Sequence, residues 1–312
     1  MHSTKSASPT SANSPGVLKI YFLASRPKTW IAGASPVLIG GAIAFKERTF
    51  SPGLFLLTLL FSLFIQIGTN YANDYFDFVK GADSPKRIGP KRATLEGWVK
   101  PLHMLRASFF AFGAAFLVAI PQIFVAGAWS LPFVLLCISL GILYTGGPKP
   151  LGYLGLGDLF VFLFFGPIPV LGAYYLQTCH LNYSVFIASL APALLSCAIL
   201  AANNIRDEKS DRQANKKTLV VRFGRFFGAT EYSLCIAMAA MVPWILIGFF
   251  KAPLELVAAS LIFPLSLPLI KKAYQSQNPE ELISLLPKTA FLLLLYTALF
   301  VVLWYTAPTQ VV

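Results

Sequence analysis

Long apolar segments recur along the chain after residue 16, and they constrain its fold more than any other feature. Hydrophobic residues make up 56% of the 312 residues, and only 12% are charged. A helix of about 20 apolar residues spans a bilayer, and a backbone in lipid must satisfy its hydrogen bonds internally. The segments therefore predict an all-α integral membrane protein rather than a soluble globular domain.

The apolar segments predict about nine transmembrane helices. The expected bounds are Trp30–Phe45, Leu54–Ala72, Leu105–Ile120, Leu131–Tyr144, Leu159–Leu176, Val185–Ala202, Tyr232–Phe250, Leu254–Ile270 and Thr289–Tyr305. Residues 1–16 are rich in Ser, Pro and Thr and contain no apolar stretch of the kind found in a signal peptide. We therefore expect them to form a disordered tail, followed by a single transmembrane domain over residues 17–312.

The basic residues are distributed unevenly between the two sides of the predicted bundle. If the N-terminus is cytoplasmic, the connections on the opposite side contain only Lys46, Arg48 and Lys251. Cytoplasmic connections of membrane proteins are enriched in Lys and Arg, and they lie close to anionic lipid head groups. The bias predicts a cytoplasmic N-terminus. It also explains the net charge of +12 by membrane lipid rather than by nucleic acid.

Two short polar segments follow the second and sixth predicted helices and resemble each other. Each contains an Asn, an Asp four residues later and then a further Asp: Asn73, Asp77 and Asp83 in the first, and Asn203, Asp207 and Asp211 in the second. The two segments are four helices apart. We therefore expect two similar four-helix units followed by a ninth helix.

The two segments also concentrate the acidic residues of the chain. Six of the thirteen lie there: Asp74, Asp77, Asp83, Asp207, Glu208 and Asp211. Acidic side chains at the ends of membrane helices are costly, which makes them candidates for function. Oxygen ligands suit Mg²⁺, which is usually bound by a few carboxylates together with substrate phosphates. Lys and Arg in the same segments are suited to phosphate oxygens, although any one of them could simply neutralise a neighbouring acid.

The residues around these acids resemble a known family. Residues 73–83 and 203–211 are similar to the two aspartate motifs of the UbiA superfamily of intramembrane prenyltransferases. Further similarity lies in residues 26–30, 87–90, 144–153 and 217–219, and it is greatest to the branch that acts on 1,4-dihydroxy-2-naphthoate. The resemblance implies nine helices in a horseshoe around a central cavity. It also implies a bacterial inner-membrane location, with the motif loops forming a cytoplasmic cap.

The resemblance also implies a reaction and roles for individual residues. A polyprenyl group would pass from polyprenyl diphosphate to 1,4-dihydroxy-2-naphthoate, with loss of CO₂ and diphosphate, giving demethylmenaquinone in menaquinone biosynthesis. Mg²⁺ would be bound by Asn73, Asp77, Asp83, Asp207 and Asp211. The diphosphate would be bound by Asn73, Lys80, Arg87, Lys149 and Arg206. The expected catalytic residues are Asp77, Asp207, Tyr144 and Lys149, with the Tyr144 ring facing an allyl cation.

Several alternatives stay open at this point. The acceptor could be 4-hydroxybenzoate, homogentisate, haem or another dihydroxynaphthoate, and neither prenyl chain length nor oligomeric state can be read from the sequence. An ion-coupled transporter also uses intramembrane carboxylates and repeats, although its sites tend to lie near the bilayer midplane. A lipid-binding scaffold is a further alternative. Asp158, at the start of the fifth helix, is interpreted as a helix N-terminal charge outside the site.

Overall fold

The computed structural model describes residues 15–47, 50–82, 89 and 91–307. Regular secondary structure in these ranges is helical throughout. The α-helices are α1 (Val17–Ala24), α2 (Trp30–Lys46), α3 (Pro52–Val79), α4 (Pro101–Ala126), α5 (Ser130–Leu143), α6 (Gly157–Phe164), α7 (Pro167–Thr178), α8 (Tyr183–Gln213), α9 (Leu219–Phe223), α10 (Arg225–Phe250), α11 (Ile262–Gln275), α12 (Pro279–Leu282) and α13 (Leu285–Thr306). Short 3₁₀ helices are formed by Pro27–Thr29, Leu151–Tyr153 and Leu254–Leu261.

Eight helical stretches of the described chain are long and apolar enough to cross a membrane. They are Val17–Lys46, Pro52–Val79, Pro101–Ala126, Gly157–Thr178, Tyr183–Gln213, Arg225–Phe250, Leu254–Gln275 and Pro279–Thr306. The 14-residue helix α5 is a ninth apolar segment. These segments follow the predicted order, which confirms the all-α membrane architecture. The division into two four-helix units and the cytoplasmic N-terminus stay predictions.

One predicted membrane helix is broken in the structure. The segment expected over Leu159–Leu176 forms α6 and α7, which are separated at Gly166. Proline at the first position of α7 favours a new helix start there, since its missing N–H is not needed at that position. A Cβ atom on Gly166 would lie 2.3 Å from the Cβ atom of Ala193 in α8. The break therefore brings the chain into close contact with α8.

Helices α3 and α8 are longer than their apolar segments and carry the two motifs in their last turns. They contain 28 and 31 residues, whereas the sequence predicts ends at Ala72 and Ala202. Each starts at a capped N-terminus, with the side chains of Ser51 and Asn182 accepting hydrogen bonds from backbone N–H groups. The motif residues are therefore held on helix ends rather than in loops. We call this end of the bundle, with residues 73–82 and 203–217, the motif end.

Helix α8 lies at the centre of the bundle. Its most buried positions are small residues, such as Ala188, Ala191 and Ala198, each with 0% exposure. Small side chains allow membrane helices to pack closely, and α8 contacts α2, α7, α10 and α13. Helix α3 packs mainly against α4, and also against α2, α5 and α7. The motif end is therefore formed where α3 and α8, which share α2 and α7 as neighbours, terminate.

Candidate active site

Asp77, in the last turn of α3, is buried and held by two hydrogen-bond donors and a lysine ammonium. The Tyr153 hydroxyl donates to Oδ1 of Asp77 at 2.7 Å, and the Arg92 guanidinium donates to Oδ2 at 3.0 Å. Lys216 Nζ lies 3.7 Å from Oδ1. A buried carboxylate requires such compensation, because desolvation of an unpaired charge is costly. The structure thus places Asp77 at the centre of a cationic cluster.

Lys216 joins the two motifs. Its Nζ atom lies 3.7 Å from Oδ1 of Asp77 in the first motif and 3.8 Å from Oδ1 of Asp211 in the second. The same ammonium lies 4.8 Å from the centre of the Tyr153 ring, in a cation–π contact. Its side chain is only 19% exposed. The two motifs therefore face one another across this lysine.

The remaining residues of the second motif form a compact ion pair. Arg206 donates through Nε and Nη2 to the two carboxylate oxygens of Asp207, at 2.7 and 2.6 Å. Its Nη2 also donates to Oδ1 of Asn203. Both Arg206 and Asp207 are buried. The two residues predicted to bind phosphate and metal thus neutralise each other in this structure.

The loop after α5 is hydrogen-bonded to the end of α3. The Thr145 hydroxyl donates to Oδ1 of Asn73 at 2.7 Å. Lys80 Nζ donates to the backbone carbonyl oxygens of Thr145 and Gly147, at 2.6 and 2.9 Å. Burial lowers the pKa of Lys80, while the negative charge of Asp77 opposes this shift. Asn73 and Lys80, both predicted site residues, therefore also position this loop.

The same loop is also hydrogen-bonded to the segment that follows α8. The backbone N–H of Lys217 donates to the Tyr153 carbonyl oxygen at 2.9 Å. Gly155 has a φ angle of +79°, and a Cβ atom there would lie 2.3 Å from the Lys217 carbonyl oxygen. Only glycine accommodates both this backbone conformation and this close approach. The fixed loop aligns Tyr153 with Asp77.

Asp74 has a structural role that its position in the first motif does not reveal. Its carboxylate accepts hydrogen bonds from the backbone N–H groups of Ala93 and Thr94, at 3.0 and 3.2 Å, and from the Thr94 hydroxyl. Its side chain thus anchors the loop before α4. The same loop carries Arg92, which contacts Asp77. Asp74 therefore positions Arg92 by fixing the loop.

Two predicted catalytic residues make no hydrogen bond or ion pair with Asp77 in the described part of the chain. Tyr144 follows α5, its carbonyl oxygen accepts from the Gly152 N–H at 3.0 Å, and burial raises the pKa of its hydroxyl. Lys149 is exposed, and its side chain makes no hydrogen bond or ion pair with the residues that the structure describes. Asp83 and Arg87 lie outside the described residues.

Three residues of the cluster were not predicted as site residues from sequence: Arg92, Tyr153 and Lys216. Arg92 and Lys216 belong to the basic residues near the motifs, but nothing in their spacing distinguishes them from their neighbours. Tyr153 lies nine residues after Tyr144, in the segment that carries the family resemblance. Their roles depend on contacts between distant parts of the chain, which residue spacing does not reveal.

The donor atoms at the motif end suit a hard cation. Carboxylate and amide oxygens come from Asp77, Asp211 and Asn73, and Mg²⁺ prefers oxygen ligands. No group of three His, Cys, Asp or Glu side chains in the described ranges comes close enough to bind a metal by itself. Mg²⁺ commonly binds one or two carboxylates and completes its shell with substrate phosphates and water. The residues therefore fit a metal that arrives with a phosphorylated substrate.

A cavity of 710 Å³ lies elsewhere, between α1, α3 and α4. Its lining includes Tyr21, Phe64, Tyr71, His103 and Arg106, and none of the motif acids. The concentration of charged contacts, rather than cavity size, locates the candidate active site at the motif end.

The sequence profile of the UbiA prenyltransferase family matches residues 34–295, which include both motifs and the loops that join them. The chain belongs to the UbiA prenyltransferase family. It is thus a prenyltransferase of the membrane, and the transporter and scaffold alternatives are set aside. The match extends from α2 to α13 and so covers nearly all of the membrane-spanning helices.

Three relatives with the name 1,4-dihydroxy-2-naphthoate octaprenyltransferase are similar to this UbiA family member over most of their length. The Haemophilus influenzae protein is 32% identical, over 91% of this chain and 94% of the relative. The Mycobacterium tuberculosis protein is 35% identical, over 75% and 83%. The Escherichia coli protein is 38% identical, over 72% and 75%.

Solved structures of distant UbiA homologues share the fold. The Archaeoglobus fulgidus homologue bound to GPP and Mg²⁺ has a TM-score of 0.65 at 15% identity, covering 91% of this chain and 99% of that chain. The apo homologue from Aeropyrum pernix has a TM-score of 0.68 at 13% identity, covering 87% and 97%. The helical architecture of this chain is therefore that of the UbiA fold.

Proposed function

We propose that this enzyme transfers a polyprenyl group from polyprenyl diphosphate to 1,4-dihydroxy-2-naphthoate. CO₂ and diphosphate are lost, and demethylmenaquinone is formed for menaquinone biosynthesis. The position of Lys216 between Asp77 and Asp211 is the observation that carries the diphosphate assignment. The names of the three bacterial relatives support the choice of acceptor.

In this proposal, the diphosphate binds between the two motifs. Mg²⁺ is bound by Asn73, Asp77, Asp207 and Asp211, with Asp83 as a further ligand, and it supplies Lewis-acid stabilisation of the leaving diphosphate. Lys216 already lies at the boundary between the motifs, 19% exposed. Its ammonium exchanges a carboxylate contact for a phosphate oxygen when the donor binds. Arg206 also binds a phosphate oxygen. It can do so without releasing Asp207, because its guanidinium has five N–H donors.

The chain's own residues then control the allylic group. As the C–O bond to diphosphate breaks, positive charge develops on the prenyl carbon, and water must be excluded because it would capture the cation. We place the Tyr144 ring against this charge as a cation–π partner. The electron-rich ring of the acceptor attacks the same carbon, and Lys80, Lys149 and Arg87 are proposed to bind oxygens of the departing diphosphate.

The proposal also assigns the motif end to one surface of the membrane. Polyprenyl diphosphate has a charged head group, which favours a site at one surface of the membrane over one at its centre. The motif end lies on the side that the distribution of Lys and Arg predicts to be cytoplasmic. We therefore propose that the enzyme lies in a bacterial inner membrane with the motif end facing the cytoplasm.

A competition assay tests the acceptor. Purified enzyme is incubated with Mg²⁺, a polyprenyl diphosphate and equimolar 1,4-dihydroxy-2-naphthoate and 4-hydroxybenzoate, and the products are identified by mass. We expect demethylmenaquinone as the main product, with CO₂ released in equal amount. Prenylated hydroxybenzoate as the main product would contradict the acceptor and leave the diphosphate site intact. The Asp77→Asn enzyme is the control for background chemistry.

A further inference from the structure

Two acidic side chains that the proposed reaction does not use meet inside the bundle. Asp158 lies in the first turn of α6 and Glu231 lies in α10, and their carboxyl groups are close enough to interact. Oδ1 of Asp158 and Oε2 of Glu231 are buried and have no hydrogen-bond partner among the described residues. Two buried carboxyl groups so close together are not both ionised, because like charges repel and burial disfavours the charged form. The pair therefore stores at least one proton within the protein.

A small cavity lies between Asp158 of this pair and Tyr144. Its volume is 30 Å³, and it is lined by Tyr144, Asp158 and Asn204 together with glycine, Leu200 and Thr218. A Cβ atom on Gly157 would lie 3.2 Å from the Tyr144 hydroxyl, so this hydroxyl faces the start of α6. A cavity of this size holds about one water molecule if two or more polar groups are available to it.

Three polar side chains at the cavity, those of Asn204, Tyr144 and Asp158, have groups without a protein partner among the described residues. Asn204 is only 6% exposed, and its side-chain amide makes no hydrogen bond within the described ranges. The Tyr144 hydroxyl also makes none there, and Oδ1 of Asp158 is unbonded. Buried polar groups are nearly always satisfied by protein or by ordered water. Two of the three residues carry buried groups of this kind, and the half-buried Tyr144 adds a hydroxyl at the same cavity, so one shared water best satisfies all three.

We propose that this cavity binds a water molecule that connects the Tyr144 hydroxyl to the Asp158–Glu231 pair, and that the pair accepts and returns a proton of the aromatic acceptor. The proposal rests on the proposed function, because it needs a hydroxylated acceptor beside Tyr144. Tyr144 thereby gains a second role as a proton carrier. Asp158 and Glu231 act through it as positioning residues that do not touch the substrate.

The proton balance closes over one turnover. As the new C–C bond forms, an acceptor hydroxyl becomes a ring carbonyl and loses its proton to Tyr144, which passes its own proton through the water to the carboxyl pair. When the C–CO₂ bond breaks, its electron pair returns to the ring and restores the oxygen as a hydroxylate. This oxygen takes back a proton along the same path. No proton is gained or lost, and no oxidant is needed.

No cation competes for the pair in the part of the chain that the structure describes. The ionisable side chains near it are Tyr144, Cys197 in α8 and Cys235 in α10, and none of them is a Lys or Arg. The Cys197 thiol donates to the Asp158 backbone carbonyl oxygen at 3.6 Å and leaves the carboxyl group untouched. A proton, rather than Lys or Arg, is therefore the group available to hold the two carboxyls together.

Infrared spectroscopy of the full-length protein tests the stored proton independently of activity. We expect a protonated-carboxyl C=O band at neutral pH in the unaltered enzyme. This band should be lost in Asp158→Asn and in Glu231→Gln and kept in the control Glu255→Gln, which changes an exposed acid in the 3₁₀ segment after α10. Absence of the band in the unaltered enzyme, or its persistence in both variants, would overturn the proposal.

Turnover tests the link to Tyr144. Glu231→Gln and Tyr144→Phe should each lower kcat by ~10–100-fold, with the KM for prenyl diphosphate changed less than threefold. The double variant should be no slower than the slower single variant, because both lie on one path. Independent losses that multiply would refute the link, and so would unchanged kcat in both variants. These two variants carry the test if Asp158→Asn does not fold.

The choice of acceptor separates this inference from the proposed function. The assays use whichever hydroxylated acceptor the enzyme accepts in the competition experiment. If 4-hydroxybenzoate replaces the naphthoate, the acceptor assignment fails, while the infrared band and the kcat effects still decide the proton relay. In that case no CO₂ leaves, and the proton lost from the ring carbon passes from the relay to the departing diphosphate or to water.

Discussion

Replacing Lys216 by Met should weaken prenyl diphosphate use strongly while leaving the fold intact. Lys216 Nζ lies 3.7 Å and 3.8 Å from carboxylate oxygens of Asp77 and Asp211. Two unit charges at this separation interact by about 4 kcal/mol at an effective dielectric constant of 20. A diphosphate carries more negative charge than a carboxylate, so the lysine stabilises the bound donor at least as well as it does the acids.

The full Coulomb value overstates the loss. The Lys216 side chain is 19% exposed, and Asp77 keeps its contacts with Arg92 and Tyr153. We therefore expect the Lys216→Met variant to lose about half of this interaction free energy, ~2–3 kcal/mol. This loss corresponds to a decrease of ~30–150-fold in kcat/KM for the prenyl donor. The KM for the aromatic acceptor should change little, because the lysine lies on the diphosphate side of the site.

Lys217→Met is the matched control. Lys217 is the next residue, and its side chain is exposed and makes no hydrogen bond or ion pair with described residues. Steady-state kinetics with varied prenyl diphosphate should separate the two variants by at least tenfold in kcat/KM. Equal values for Lys216→Met and Lys217→Met would refute the assignment of Lys216 to the diphosphate site. Size-exclusion profiles and Tm show that both variants are folded.

The remaining predictions address the metal, the second motif, the loop and the topology. Activity should require Mg²⁺ or Mn²⁺, and full turnover in excess EDTA would contradict the metal assignment. Asp207→Asn should lower turnover by ~10²-fold or more, whereas Glu208→Gln, one residue away and bonded only to Arg212 among described residues, should retain more than half of it. Gly155→Ala should lower the free energy of unfolding by ~1–3 kcal/mol, seen as a lower Tm, because the backbone at residue 155 has a φ angle of +79°. The exposed thiol of Cys179 should react with an impermeant maleimide from outside the cell, and labelling only from the cytoplasmic side would reverse the predicted topology.

The sequence predicts the helices of this fold well because lipid constrains them strongly. Only long apolar segments can span a bilayer as helices, so their number and order follow directly from the chain. The break at Gly166 was not predicted, because the surrounding residues are apolar on both sides. Pro167, which favours a helix start, and the close approach of Ala193 to Gly166 together explain why the helix stops there. The true ends of α3 and α8 were also missed, since polar motif residues continue the helices beyond lipid-compatible sequence.

The candidate site could be predicted only in part. The spacing of Asn73, Asp77, Asp207 and Asp211 identifies two acidic helix ends, and the structure brings Asp77 and Asp211 to the same lysine. Which Lys and Arg side chains contact these acids could not be predicted, because the contacts depend on the path of two loops. Lys149 is exposed, and its place beside the diphosphate stays a prediction, whereas Lys216 and Arg92, which were not predicted, contact Asp77.

Asp74 and Asp158 show why acidic residues cannot be assigned from type alone. Asp74 lies inside the first motif, yet its carboxylate is used by the backbone of residues 93 and 94. Asp158 was interpreted as a helix N-terminal charge, and it does lie in the first turn of α6. Its partner Glu231 is more than 70 residues away in sequence. Long-range contacts between membrane helices therefore decide which acids are free for substrate.

The central claim is that the two motifs form one diphosphate site, and a double-mutant cycle tests it most directly. Mg²⁺-dependent binding of an unreactive prenyl thiolodiphosphate is measured for the unaltered enzyme, Asp77→Asn, Asp211→Asn and the double variant. If both acids act on one bound diphosphate, their effects should be non-additive, with a coupling free energy above about 1 kcal/mol. Effects that add within about 0.5 kcal/mol would mean that the motifs act independently and would contradict the account.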